Sequence, residues 1–223
     1  MSSHAPTENL TRRSFRRAPG DERRQDLIRA TLDILAERGL HAATVREIAV
    51  RAGVTNGLIR HYFETKDHMI HEAYRSTMDE MTVLAREAGN SAAQHPRERL
   101  RRFVAANFSP QVLDLRKLTL WASFISMIHI DPEMAAIHRE AYLEFRSEVE
   151  QLVADVFAEA GMASGEAECR PAAIKINAVI DGLWLEGAMA PGLFGEGDLI
   201  AMGMESVEAI LGLSLSDDTG GDE

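Results

Sequence analysis

The stretch that decides the fold runs from Thr44 to Lys66 and reads TVREIAVRAGVTNGLIRHYFETK. It predicts two short helices joined by a tight turn, because Gly53 separates two apolar runs of helical spacing and tolerates a left-handed conformation. Thr44 precedes the first helix and Glu47 follows it by three residues, which is the spacing of a capping box. The second helix is expected over Thr55 to Tyr62. This pattern is typical of a helix-turn-helix, whose second helix lies in the DNA major groove.

The outward positions of this motif carry small, polar or basic residues, which can approach DNA closely or hydrogen-bond to it. The predicted DNA-binding residues are Thr44, Arg46, Thr55, Asn56, Gly57, Arg60, His61, Tyr62 and Lys66. Arg60 is the candidate for reading a guanine, because a guanidinium can donate two hydrogen bonds to that base. A phosphate contact or a solvated position is the alternative for Arg60. Helical hairpins with a glycine turn also occur in proteins that bind no DNA.

The charge of the whole chain argues against nucleic acid only until it is resolved along the sequence. The 223 residues contain 24 basic and 35 acidic side chains, for a net charge of −11. Residues 81–223 hold 11 of the basic and 23 of the acidic groups, whereas residues 10–66 hold 12 basic and 7 acidic groups. DNA binding requires locally clustered cations and not a basic whole protein. The net charge therefore decides nothing about DNA.

Composition indicates a globular protein of a reducing compartment. Hydrophobic residues make up 45% and charged residues 26% of the chain, which are ordinary globular values. The single cysteine, Cys169, excludes an internal disulfide framework and a cysteine-based zinc module. The first residues show no apolar signal-peptide core, and the longest charge-free apolar stretch, Leu118–Ile130, is too short to span a bilayer. We therefore expect a cytoplasmic protein.

Patterns that would indicate catalysis or metal binding are weak. His68 and His71 could face one metal ion from a helix, but Glu72 lies on the wrong side for a third ligand. A solvated helix face is the simpler interpretation. No glycine-rich phosphate loop follows a strand, and Cys169 has no evident base beside it. We expect no enzyme activity, no metal and no cofactor.

The remaining chain predicts helices only, because apolar residues recur at helical spacing and no alternating segment is long enough for a convincing strand. The first helix carries an apolar stripe from Leu27 to Leu35 and ends near Gly39. Later helices are predicted to begin at Thr65, Pro96, Leu113, Asp131, Pro171 and Asp198. The helix from Leu113 is expected to reach His129, and residues 161–170 are expected to form a loop.

Residues 24–70 resemble the TetR family of bacterial one-component regulators. The agreement rests on the Leu27–Leu35 stripe, Gly39, Thr44, Ile48-Ala49, Ala52-Gly53-Val54, Gly57, Tyr62-Phe63 and Lys66. The resemblance implies an all-α fold with an N-terminal three-helix helix-turn-helix domain and a C-terminal helical bundle for ligand sensing and dimerisation. It also implies that Thr44 and Lys66 contact phosphates and that Tyr62 packs on the DNA backbone. The arginines at 12, 13, 16 and 17 become a candidate DNA-contacting arm.

Composition and the lack of a helical stripe predict a flexible basic arm over 1–20 and a disordered acidic tail over 216–223. The resemblance divides the residues between them into a DNA-binding domain over 21–66 and a sensing and dimerisation domain over 67–215. It implies a repressor that a small-molecule effector releases from a palindromic operator, with a homodimer formed through the last two helices. The alternative is a helical small-molecule-binding protein without sequence-specific DNA binding. A mobility-shift assay separates the two, because the alternative predicts only weak retardation of any DNA sequence.

Two C-terminal patches are similar to the choline-sensing betaine-pathway repressors, a subgroup of that family. They are Val179–Ala188, which reads VIDGLWLEGA, and Trp121–Phe124. Aromatic faces with a nearby carboxylate can bind a quaternary ammonium group. The predicted ligand-binding residues are Trp121, Phe124, Tyr142, Asp181 and Trp184. Aromatic residues on amphipathic helices are also common in cores, and Asp181 could hydrogen-bond within the dimer interface, so the effector stays open at this point.

Overall fold

Nine α-helices and one 3-10 turn form the part of the chain that the computed structural model describes, which is residues 20–90, 95–190 and 192–216. The helices are α1 Gly20–Arg38, α2 Val45–Ala52, α3 Asn56–Tyr62, α4 Lys66–Gly89, α5 Pro96–Ala106, α6 Leu115–Ile125, α7 Pro132–Glu159, α8 Glu166–Met189 and α9 Asp198–Leu211. No strand occurs in these residues, which confirms the predicted all-α class. The predicted basic arm, apart from Gly20, and the acidic tail beyond Ser216 lie outside the described residues.

Threonine side chains begin two of the helices, as the sequence predicts. The Thr44 hydroxyl accepts a hydrogen bond from the Glu47 backbone N–H at 3.2 Å, and Thr65 caps α4 in the same way at 3.0 Å. The second hydrogen bond of the expected capping box, in which the Thr44 N–H would donate to the Glu47 carboxylate, is replaced by two other bonds. The Glu47 carboxylate accepts from Arg38 at 3.0 Å, and the Thr44 N–H donates to the Ala42 carbonyl at 2.8 Å. Glu47 therefore ties α2 to α1 instead of closing its own helix end.

The predicted start of α8 is wrong by more than one turn. The helix begins at Glu166, inside the segment expected to be a loop, and Pro171 lies within it. A proline there removes one backbone donor from the helix. The additional first turn buries Cys169 among apolar side chains of other helices, and this burial offsets the lost hydrogen bond.

The apolar helix predicted from Leu113 to His129 is also shorter than expected. Asp114 caps its N-terminus by accepting from the Arg116 backbone N–H at 2.9 Å, so α6 begins at Leu115. The helix ends at Ile125, and the next residues form hydrogen-bonded turns up to the cap of α7 at Asp131. The apolar run therefore contains both a helix and the turn that reverses the chain.

Buried apolar side chains form two clusters. The first contains residues of α1, α2, α3 and the first half of α4, together with Leu120 and Phe124 of α6 and Met134 and Ile137 of α7. The second cluster lies between α4, α5, α7, α8 and α9. Because the first cluster includes residues of α6 and α7, the helix-turn-helix shares a core with the C-terminal helices and is not joined to them by a linker alone.

Close packing at Gly203 in α9 gives a stability prediction. A Cβ atom at this position would lie 2.7 Å from Cε2 of Phe108, so Gly203→Ala is expected to lower the free energy of unfolding by about 1–3 kcal/mol through overpacking. Urea denaturation at fixed protein concentration measures the change. Gly57→Ala is the control, since a Cβ there meets only Thr55 Oγ1 at 3.8 Å. Equal stability of Gly203→Ala and the wild type would contradict the packing argument.

Candidate nucleic-acid interface and ligand cavity

The turn between α2 and α3 has the geometry that the sequence predicts. Gly53 adopts a left-handed conformation with φ 66° and ψ 36°, which a side chain would disfavour. The Val54 N–H donates to the Ala49 carbonyl at 2.9 Å and closes the turn. Ile48 and Ile59 are buried in the first core cluster, so the opposite sides of α2 and α3 face solvent.

All nine predicted DNA-binding residues have surface on this motif. Tyr62 and Lys66 are half-buried, and the other residues are exposed: Thr44, Arg46, Thr55, Asn56, Gly57, Arg60 and His61. Thr55 precedes α3 without a side-chain capping bond, so its hydroxyl stays available to an outside acceptor. The rings of His61 and Tyr62 meet edge to face at 5.1 Å. Contacts of these residues with DNA remain predictions.

The basic side chains of the first four helices fall into two groups. The larger group pairs with carboxylates and includes Arg24 with Glu72, Arg38 with Glu47, and Arg51 with Glu37. The other group is Arg46, Arg60 and Lys66, for which no carboxylate lies within ion-pair distance among the residues placed by the structure. These three cations belong to the helix-turn-helix and the start of the next helix. Uncompensated cations on such a surface attract the phosphates of DNA.

A cavity of about 360 Å³ lies between α4, α6, α7 and α8. Four of the predicted ligand-binding residues form part of its wall: Trp121, Tyr142, Asp181 and Trp184. Phe124 is not in the wall. It is fully buried in the first core cluster, where its ring centroid lies 4.7 Å from that of Tyr74. Trp121 and Ile125 lie on the side of α6 that faces the cavity, and Phe124 lies on the other side, in the first core cluster.

The aromatic part of the wall is held in place by specific contacts. Trp184 Nε1 donates to the Val112 carbonyl at 3.0 Å, and the Trp121 ring meets the Trp184 ring edge to face at 5.7 Å. The Tyr142 ring stacks on His138 with centroids 5.9 Å apart. The two indoles therefore present ring surface to the cavity at nearly perpendicular orientations.

The polar part of the wall is acidic and hydrogen-bond-accepting. Asp181 lies where the cavity meets the protein surface, and desolvation by the surrounding protein atoms raises its pKa to about 6. Its carboxylate accepts from Asn177 Nδ2 at 3.1 Å, while the Oδ1 atom of the fully buried Asn177 has no partner among the described residues. No Lys or Arg belongs to the wall. This wall suits a ligand with positive charge and a hydrogen-bond donor.

His138 is kept uncharged at neutral pH. Its Nδ1 atom lies 2.7 Å from the Tyr74 hydroxyl, and burial lowers the pKa of the imidazole. Burial also raises the pKa of Tyr74 to about 12, so the pair is neutral. His138 and Asn177 also belong to the wall and were not among the predicted residues. Each lies four residues before a predicted one, Tyr142 and Asp181, and this spacing on one helix face is the signal that could have identified them.

The two histidines considered as metal ligands have other partners. His71 Nε2 lies 2.8 Å from an Asp131 carboxylate oxygen, and His68 Nε2 lies 3.9 Å from Glu72. Across residues 20–90, 95–190 and 192–216, no group of three or more His, Cys, Asp or Glu could hold a metal ion. None of the helices in these residues combines the length and the hydrophobicity that a membrane-spanning segment requires.

Comparisons with known proteins cover both halves of the chain. The model for bacterial regulatory proteins of the tetR family matches residues 27–73, and the model for the C-terminal part of BetI-type transcriptional repressors matches residues 96–212. The HTH-type transcriptional regulator BetI of Burkholderia thailandensis is 31% identical over 189 residues, which cover 85% of this chain and 93% of the relative.

Solved structures show the same similarity. A transcriptional regulator from Pseudomonas aeruginosa PAO1 superposes with a TM-score of 0.80 at 31% identity, covering 88% of this chain and 93% of that one. A regulator from Saccharomonospora viridis in complex with choline shares the fold, with a TM-score of 0.68, 20% identity, and coverage of 84% and 96% of the two chains. These relatives are regulators of transcription and not enzymes.

Proposed function

Because the chain belongs to the TetR family of DNA-binding transcriptional regulators and carries a BetI-type repressor C-terminal domain, we propose that its cavity binds a small quaternary ammonium effector. Regulators of this kind are homodimers that bind operator DNA and small molecules. The observation that carries the effector proposal is the placement of Trp121, Tyr142, Trp184 and Asp181 around one cavity. Aromatic faces attract a quaternary ammonium group, and a carboxylate adds direct charge complementarity.

The polar groups of the wall favour an amino alcohol over an amino acid betaine. Asn177 Oδ1 is a buried acceptor that gains most from a ligand hydroxyl, because a buried polar atom without a partner is costly. A carboxylate on the ligand would instead meet the Asp181 carboxylate and the carbonyl oxygen of Asn177, which repel it. Choline has the required ammonium and hydroxyl groups. It is therefore the first ligand to test.

For the DNA-binding half, we propose that the exposed residues of α3 read the operator and that Thr44, Arg46 and Lys66 contact phosphates. The three basic residues without carboxylate partners support this assignment. We also propose that residues 21–66 act as the DNA-binding unit, that residues 67–215 act as the sensing and dimerisation unit, and that two copies associate through α8 and α9. A two-fold dimer with two such heads requires a palindromic operator.

Helix α6 connects the cavity to the DNA-binding helices. Trp121 belongs to the cavity wall, and Arg116, one and a half turns earlier, donates to Asp33 of α1 at 2.6 Å. Asp33 also lies 3.8 Å from Arg51 at the end of α2. A ligand that moves Trp121 therefore acts on a helix bonded to the DNA-binding unit. It changes DNA affinity only by the difference between its affinities for the two conformations.

A thermal-stability series tests the effector. Choline at about 100 times its Kd is expected to add about 2.7 kcal/mol to the free energy of unfolding, while betaine and betaine aldehyde stabilise the protein less. The same choline concentration is expected to release operator DNA in a mobility-shift assay. If no quaternary amine changes stability, the effector proposal is wrong, whereas the DNA-binding assignment is judged separately by retardation of the operator.

A further inference from the structure

We infer that the effector cavity is completed by the second protomer, whose α8 and α9 cover the opening of the cavity in the first. The inference rests on the proposed effector site and specifies which part of the dimer closes the open side of the cavity. Its consequence is that effector binding and dimerisation are thermodynamically coupled. Ligand binding then strengthens the dimer by the same free energy by which the dimer strengthens ligand binding.

The cavity opens along α8. Three of its wall residues are exposed in the single chain: Asp181, Gly182 and Leu185. A Cβ atom built on Gly182 meets no other atom within 4 Å, so space remains beside the helix at the level of the carboxylate. Within one protomer, the cation site would therefore be open to water on its α8 side.

The large exposed apolar side chains of α8 and α9 are together called the strip. It consists of Ile174, Leu185 and Met189 on α8 and Met202 on α9, and Met189 is 68% exposed. Leu185 and Met189 lie four residues apart on one face of α8, and exposed apolar side chains grouped in this way mark an interaction surface. Leu185 belongs both to this strip and to the cavity wall. A partner that covers the strip therefore also covers the opening.

The occupant of the strip is a second copy of this chain. Regulators of this kind are homodimers, and a two-fold interface presents the same surface on both protomers, so each copy closes the cavity of the other. Excluding water from the Asp181 carboxylate lowers the local dielectric and strengthens its attraction for a bound cation. The dimer is then the form with high effector affinity.

The chain's two tryptophans, Trp121 and Trp184, both lie in the cavity wall, so their fluorescence reports the opening directly. Met189→Glu and Met202→Glu place a charge in the strip without changing a wall residue, and sedimentation is expected to show monomers. Quenching by acrylamide should rise in both variants. Their choline affinity should fall by about tenfold or more, as water regains access to the ion pair. Met162→Glu, an exposed site after α7 and outside the strip, is the matched control and should match the wild type.

Folded, monomeric variants that keep wild-type quenching and wild-type choline affinity would overturn the inference. The quenching result needs no ligand, so it still decides whether the partner closes the cavity if the proposed effector is wrong. If both variants unfold, dilution of the wild-type dimer replaces them. Quenching that rises as the dimer dissociates supports the inference, and quenching that is constant through dissociation contradicts it.

Discussion

Replacing Arg60 with alanine is expected to lower operator affinity by about 1–3 kcal/mol per half-site and to relax base preference at one operator position in each half-site. Arg60 is exposed in the last turn of α3, and no carboxylate within the described residues pairs with it. Its guanidinium is therefore free to donate two hydrogen bonds to a guanine. A dimer makes this contact twice, so the loss for a complete palindrome is about twice the loss for one half-site.

A selection for bound DNA, followed by affinity measurements on single-base operator variants, distinguishes base reading from phosphate binding. Arg38→Ala is the matched control, because Arg38 is exposed in the same unit but pairs with Glu47 at 3.0 Å. It should leave base preference unchanged. If Arg60→Ala weakens binding to all sequences equally and reduces the salt slope by about 0.9 per lost contact, Arg60 is a phosphate contact and the base-reading hypothesis fails.

The helix-turn-helix could be predicted from the sequence because its determinants are local. The Thr44 cap, the left-handed Gly53 and the buried Ile48 and Ile59 each act within a few residues, and the structure contains all of them. Pro171 misled the prediction for a related reason. Proline is favoured in the first turn of a helix, but burial of Cys169 two residues earlier, which depends on other helices, outweighs that local preference.

The ligand cavity could be predicted only in part, because its wall comes from four helices. Trp121 and Trp184 were identifiable as aromatic residues of two patches, yet nothing local shows that α6 turns Phe124 away from the cavity. Asn177 looks like an ordinary polar residue of an amphipathic helix. Only the packed structure shows that its side chain is fully buried with an unpaired oxygen at the cavity wall. Which helix face becomes interior depends on tertiary packing, and sequence spacing alone does not determine it.

The net charge of −11 is compatible with DNA binding because some cations pair with carboxylates within the fold, while others stay available to DNA. Arginines that stabilise the fold, such as Arg51 with Glu37 at 2.9 Å, are neutralised locally. Arg46, Arg60 and Lys66 keep their charge uncompensated by neighbours in the described structure. The acidic remainder of the chain disfavours non-specific attachment to DNA, and a small set of unpaired cations then sets the contact surface.

Asp181→Asn is expected to weaken binding of a quaternary ammonium ligand by about 1–3 kcal/mol and to remove most of the pH dependence of that binding. Within a single chain, desolvation raises the pKa of Asp181 to about 6. A bound cation favours the ionised carboxylate and lowers this pKa, so binding releases a proton at acidic pH. Affinity should reach its plateau above about pH 7 and fall by about tenfold per unit below the free pKa.

Other groups facing this site act in the same direction and must be separated from Asp181. His138 and Tyr142 of α7 also line the cavity, and protonation of His138 at low pH would repel a cation as well. Calorimetric titration of choline between about pH 5 and 8 measures both effects, since loss of the Asp181 step leaves only the weaker histidine step in Asp181→Asn. Glu186→Gln is the matched control, because it removes an equal charge from α8 at a residue outside the cavity wall. If Asp181→Asn binds choline with wild-type affinity and an unchanged pH profile, the carboxylate does not hold the cation, and the proposed effector chemistry is wrong.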